Sequence, residues 1–112
     1  MTKAIQAKRL AIIDVGTLKA KLEICETSNG RQHTVFKQKR LTLLGKNLAK
    51  NSYIQPEAVA RTIEALNDFK QTMTSYGVSA YKAITTEALR KADNAAQVLA
   101  NIETQNQDYF IP

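Results

Sequence analysis

Residues Leu10-Ala11-Ile12-Ile13-Asp14 make a short apolar run with β-branched members, which ends in a carboxylate just before Val15-Gly16-Thr17. A run of this length closed by glycine reads as a strand, and its continuous apolar character predicts a central strand buried on both faces. Such a strand needs neighbours in a sheet, so the rest of the chain has to supply them. Lys19-Ala20-Lys21-Leu22-Glu23-Ile24-Cys25 alternates polar and apolar, placing Ala20, Leu22 and Ile24 on one face of a half-buried antiparallel strand. Ser28-Asn29-Gly30 signals a turn, Asn-Gly being among the strongest hairpin dipeptides. A third strand, strongly basic through Lys37, Lys39 and Arg40, is expected from about His33 to Leu43. A three-strand meander with the first strand central is the simplest arrangement.

Pro56 suits the first position of a helix, where its missing N–H costs nothing. Val59, Ile63, Leu66, Phe69, Met73 and Tyr76 step by three or four and form one stripe, and Gly77 is placed to end the helix in a left-handed conformation. A short strand from Val78 to Ile84 follows, with Thr85-Thr86 as a cap before a brief helix. Asn94 is expected to cap another helix, with Ala95, Val98, Leu99 and Ile102 on one face and Gln97 at the capping-box position. Tyr109-Phe110-Ile111 reads as the start of a fifth strand. Strands are thus expected near residues 10–15, 19–26, 33–43, 79–84 and 108–112, and helices near 56–76, 87–92 and 95–105. The order β-β-β-α-β-α-β is that of an α/β, ribonuclease H-like domain with a mixed sheet.

Composition narrows the function classes. The chain of 112 residues, 44% apolar and 23% charged, is an ordinary globular composition with room for one small core. Its longest apolar run, Leu10 to Ile13, is far too short to cross a membrane, and residues 1–9 lack the apolar stretch of a signal peptide. A single Cys25 excludes an internal disulfide and suits a reducing cytoplasm; with only one histidine, His33, it also argues against a zinc site. The net charge of +6 is lopsided, with eleven Lys and Arg against three acids in residues 1–50 and five against seven in 51–112. Such asymmetry fits either a solvated basic face or a polyanionic partner.

Two constellations could carry chemistry. Asp14-Val15-Gly16-Thr17 closes the first strand: a carboxylate there can hold Mg²⁺ or its water shell, Gly16 lets the backbone approach an anion, and Thr17 adds an N–H and a hydroxyl. The same residues also suit a plain hairpin turn. The second is Ile84 to Asn94, where a helix start favours an anion and Arg90 lies about one turn in, although Arg90 could equally pair with Glu87.

Three segments together resemble the N-terminal region of the exopolyphosphatase / guanosine pentaphosphate phosphatase family, part of the actin-like ATPase superfamily. They are Ile12 to Thr17, then Leu43-Leu44-Gly45-Lys46-Asn47-Leu48 with Ile54-Gln55-Pro56-Glu57-Ala58, then Thr86 to Asn94. The last, which follows a Thr-x-Ala-x-Arg-x-Ala-x-Asn pattern, is the most specific. The resemblance implies an actin-like half-domain and hydrolysis of a terminal phosphoanhydride in inorganic polyphosphate or guanosine pentaphosphate, with Mg²⁺ as cofactor. It maps Asp14 onto the metal site, Gly16 and Thr17 onto the first phosphate loop, and Arg90 onto the phosphate-contacting arginine. A guanidinium suits that role because its fork binds two oxygens and keeps its charge.

The chain departs from the family in two places. Leu18 and Lys19 follow Gly16-Thr17 where the family has Asn and a small hydroxyl residue, so Lys19 is expected to supply phosphate contact as a point charge. The family's catalytic glutamate maps beyond Pro112, so this polypeptide alone is expected to hydrolyse little, and an incomplete sheet with a free strand edge should self-associate. Two alternatives stay open: a kinase or ATPase of the same superfamily, and a divergent, non-catalytic polyanion-binding member. Nucleic acid is disfavoured, because only Phe36 and Tyr53 lie near the basic segments whereas single-strand binders interleave aromatics with cations.

Overall fold

The computed structural model describes residues 7–46, 48, 52–85 and 90–97. Four strands and one long helix organise them: β1 (Lys8–Val15), β2 (Lys19–Ser28), β3 (Arg31–Leu41), α1 (Pro56–Ser75) and β4 (Ala80–Thr85). The sheet order is β3-β2-β1-β4, with β1 antiparallel to β2, β2 antiparallel to β3, and β1 parallel to β4. A parallel pair needs a crossover, which α1 supplies between β3 and β4.

Local chemistry accounts for the element ends. Asn29 and Gly30 both hold positive φ, 53° and 78°, as a two-residue hairpin turn requires. Pro56 occupies the first turn of α1, which Gln55 precedes without a side-chain cap. At the other end Gly77 takes φ 66°, its N–H donates to Thr74 O at 3.1 Å, and Val78 N–H donates to Met73 O at 3.0 Å. These two bonds satisfy carbonyls that the last helical turn would otherwise leave unpaired. A bulge between Ile24 and Cys25 leaves Val35 as the extra residue of β3. The third strand begins and ends earlier than its basic run suggests, because the N–H groups of Thr42 and Leu43 leave the ladder for Leu18 O.

α1 covers one face of the sheet. Ala11, Ile13, Val15, Ala20, Leu22 and Ile24 meet Ala58, Val59, Ala65, Leu66, Phe69 and Met73 there. Phe69 and Leu66 are fully buried, and truncating such a phenylalanine typically costs ~3–5 kcal/mol. The polar residues of β3 on this side reach the helix: Arg40 pairs with Asp68, and Thr72 Oγ1 donates to Gln38 Oε1 at 3.2 Å. Arg9 bridges Glu26 and the carbonyl of Tyr76 while lying over the Tyr76 ring, which itself contacts Phe36.

The expectation that β1 is buried on both faces is not met among the described residues. Ala11, Ile13 and Val15 are buried, whereas Leu10 and Ile12 on the other side are 41% and 50% exposed. The reason is coverage: α1 lies on one face only, and no described residue packs over the other. Ile84 on β4 belongs to the same open face and is 42% exposed.

Asn94 precedes the helical residues 95–97, but its side chain is used elsewhere. Its Oδ1 accepts from Ile54 N–H at 2.8 Å and its Nδ2 donates to Ile54 O at 3.0 Å, so the amide mimics a strand rung. Asp93 N–H donates to Ser52 O at 2.7 Å beside it. The expected helix face Val98, Leu99 and Ile102, the strand near 108–112, and Thr86 to Leu89 of the brief helix lie outside the described residues.

Candidate phosphate site

The parallel strands β1 and β4 end side by side, Val15 opposite Thr85. Ligands of open α/β sheets bind beyond the carboxyl ends of such strands, where backbone groups are no longer used by the ladder. Gly16 N–H donates to Lys19 O at 2.9 Å, which leaves Thr17 and Leu18 as a two-residue turn.

This turn is held from one side. Thr17 O accepts from Gly45 N–H at 2.7 Å, and Leu18 O accepts from the N–H groups of both Thr42 and Leu43, at 3.1 and 3.0 Å. In a trans peptide the N–H points opposite to the preceding carbonyl, so the Leu18 N–H is turned away from this support. Among the described residues the N–H groups of Thr17 and Leu18 have no hydrogen-bond partner, and both residues are exposed. Leu43 adopts φ 56°, a left-handed conformation that costs a branched residue ~1–2 kcal/mol. Its N–H to Leu18 O and its carbonyl to Lys46 N–H, both at 3.0 Å, keep it there. A Cβ on Gly45 would stand 2.8 Å from Thr17 Cβ, so only glycine fits at this contact without movement. Thr42, Leu43 and Gly45 therefore buttress the turn, a relation that sequence order alone does not reveal.

Arg90 reaches the same end of the sheet. Its Nε donates to Thr85 Oγ1 and its Nη2 to Thr85 O, both at 3.0 Å. Two of five donors are thus spent on fixing the guanidinium at the end of β4, and three remain for an anion. Thr85, which sequence reading treats as a cap, serves here as the anchor of Arg90. Glu87, the other partner weighed for Arg90, lies outside the described residues.

Asp14 lies one step back on β1, opposite Lys21 on β2 and Ile84 on β4, on the open face. It is partly exposed and forms no hydrogen bond or ion pair with a described residue. No group of three or more His, Cys, Asp or Glu residues able to hold a metal occurs among the described residues. A lone carboxylate does suit Mg²⁺, which keeps most of its waters and commonly uses one or two carboxylates plus substrate phosphates. Lys19 opens β2 immediately after the turn, half-buried. Asp14, Gly16, Thr17, Lys19 and Arg90 therefore share one end of the sheet.

His33 and Cys25 do not join them. His33 Nε2 lies 3.5 Å from a Glu26 carboxylate oxygen. Cys25 is a free thiol, its Sγ 3.7 Å from Glu23 Oε2. The Glu23 carboxyl is held below the usual glutamate range, first by the bond it accepts from Thr34 Oγ1 at 2.5 Å; burial opposes this, and Lys37 and the Cys25 thiol assist it.

Residues 23–107 match the Ppx/GppA phosphatase family. "Exopolyphosphatase 2" of Mycobacterium tuberculosis is 31% identical over 90 residues, covering 77% of this chain and 28% of that protein. The crystal structure of the Aquifex aeolicus Ppx/GppA family member superimposes with a TM-score of 0.85 at 28% identity, covering 88% of this chain and 32% of that one. An exopolyphosphatase from Cytophaga hutchinsonii gives a TM-score of 0.80 at 29% identity, covering 88% and 31%. The chain thus spans about a third or less of the relatives it matches, and it shares with them an actin-like half-domain.

Proposed function

The chain belongs to the Ppx/GppA phosphatase family, and on that premise we propose that it binds the terminal phosphate in a hydrolase acting on inorganic polyphosphate or guanosine pentaphosphate. The observation that carries this reading is the meeting, at the ends of β1 and β4, of a buttressed turn whose Thr17 and Leu18 N–H groups have no partner among the described residues and an anchored guanidinium. Gly16 lets the backbone approach the phosphate, Thr17 and Leu18 bring their backbone N–H groups to it, Arg90 offers its remaining fork, and Lys19 adds a point charge. Asp14 would hold Mg²⁺ or its water shell, and the ion would supply positive charge there against the charge developing on the phosphoryl oxygens. The names of the relatives favour polyphosphate of the two substrates.

A second reading has one observation in its favour. Leu18 is 53% exposed at the tip of the turn and contributes no polar side-chain atom to an anion, which suits a divergent polyanion-binding member of the family. A cytoplasmic setting fits the free thiol, and no helix of the described residues is long and apolar enough to cross a membrane. Self-association through an exposed strand edge of the sheet belongs to the same proposal.

Calorimetric titration with pyrophosphate tests the terminal site. Binding should strengthen with Mg²⁺ and weaken about tenfold in Arg90→Lys, which keeps the charge but loses the bidentate fork. Affinity indifferent to both Mg²⁺ and Arg90→Lys would contradict it.

A further inference from the structure

The open face of β2 and β3 carries a row of lysines of which the terminal site uses only Lys19. Lys21 and Lys39 are directly opposite each other in the register, and both are exposed. Like charges directly opposite destabilise a strand pair. Lys19 lies one two-residue step toward the turn and Lys37 one step away from it, all four on the face not covered by α1. Lys19, Lys21 and Lys39 form no salt bridge with a described residue. The acids on the face are already placed: Glu23 accepts from Thr34 and lies near Lys37, and Asp14 stands at the end of β1. At ~6.8 Å per two-residue step, the lysines run from the turn for roughly 14 Å.

We propose that this lysine row is a track for the body of a linear polyphosphate chain whose terminal phosphate occupies the turn at Gly16 to Lys19. The inference rests on the terminal-phosphate reading above. A linear polyanion with charge on every residue can meet each lysine in succession, whereas a nucleotide polyphosphate engages only those beside the turn. The face also lacks what a nucleic acid would use. Phe36 and Tyr76 pack against each other on the helix side, and none of the described residues of the open face is aromatic, so there is no platform for stacking bases.

The test compares the 112-residue chain with its Lys21→Gln/Lys39→Gln double variant, measuring affinity for long-chain polyphosphate and for pyrophosphate across a sodium chloride series. Removing two phosphate-neutralising lysines should lower the slope of log affinity against log salt by about two. Pyrophosphate affinity should be unchanged, and the thermal midpoint should hold or rise as the like-charge pair is removed. An unchanged salt slope for long chains overturns the track, and so does tighter binding of single-stranded RNA of matched charge than of polyphosphate. A reduced slope for long chains while neither protein binds pyrophosphate supports the track and refutes the terminal site.

Discussion

Gly45 offers a quantitative test of the buttress beneath the turn, because its cost can be worked from a single contact. An added Cβ would lie 2.8 Å from Thr17 Cβ, 3.2 Å from Thr17 O and 3.3 Å from Thr17 Cγ2. Ordinary contact begins at 3.4 Å, so Gly45→Ala must push the turn away by about 0.6 Å. That movement stretches the 2.7 Å bond from Gly45 N–H to Thr17 O. Overpacking of this kind costs ~1–3 kcal/mol and a weakened hydrogen bond up to ~1 kcal/mol, offset by ~0.4–1 kcal/mol from the stiffer unfolded chain. The net loss is about 1–3 kcal/mol, a fall of roughly 5–20 °C in thermal midpoint for a domain of this size. Thermal and urea unfolding measure the loss, and pyrophosphate titration should show weaker binding as the turn shifts. Adding Thr17→Gly removes two of the three contacts, so the pair should show a coupling energy of about 1 kcal/mol. Gly77→Ala serves as the control. Nothing lies within 4 Å of its added Cβ, so its φ of 66° makes it cost stability without touching the site. A Gly45→Ala protein with wild-type stability and pyrophosphate affinity would refute the buttress.

Asn94→Ala strands the N–H and carbonyl of Ile54 and should cost about 2 kcal/mol in urea unfolding; Asn94→Asp should recover little, since a carboxylate cannot donate to Ile54 O. For Glu23, the lowered pKa means its hydrogen bond stabilises the charged form. That contribution is complete above the ordinary glutamate pKa and is lost as pH falls through the lowered one. Carbonyl NMR titration should show a Glu23 midpoint below the ordinary glutamate value that rises in Thr34→Val.

Local signals in the sequence carry their own explanation. Asn29-Gly30 specifies a turn with two positive φ values, Gly77 a left-handed helix stop, and the Val59-to-Met73 spacing one buried helix face. What is not local stays hidden. The apolar character of Leu10 and Ile12 indicates that they want cover, but not whether any element supplies it. Gly45 meets Thr17 across a long stretch of chain, and Asn94 meets Ile54 across an even longer one, so neither contact leaves a pattern within any single window. Asn94 therefore reads as a helix cap, the commonest use of its residue type, until the fold brings Ile54 alongside. The site was legible as motifs in order along the chain. Its unity was not, because it depends on β4 pairing parallel to β1 and bringing Arg90 to the end that holds Gly16.

The most direct measurement of the terminal-phosphate site is an NMR titration of the chain with pyrophosphate and Mg²⁺, following backbone amides and arginine side-chain signals. The account predicts that the Thr17 and Leu18 amides, free of partners among the described residues, shift first and furthest, together with Arg90 Nε–H. Shifts confined to residues remote from the carboxyl ends of β1 and β4, or none at saturating pyrophosphate, would contradict it.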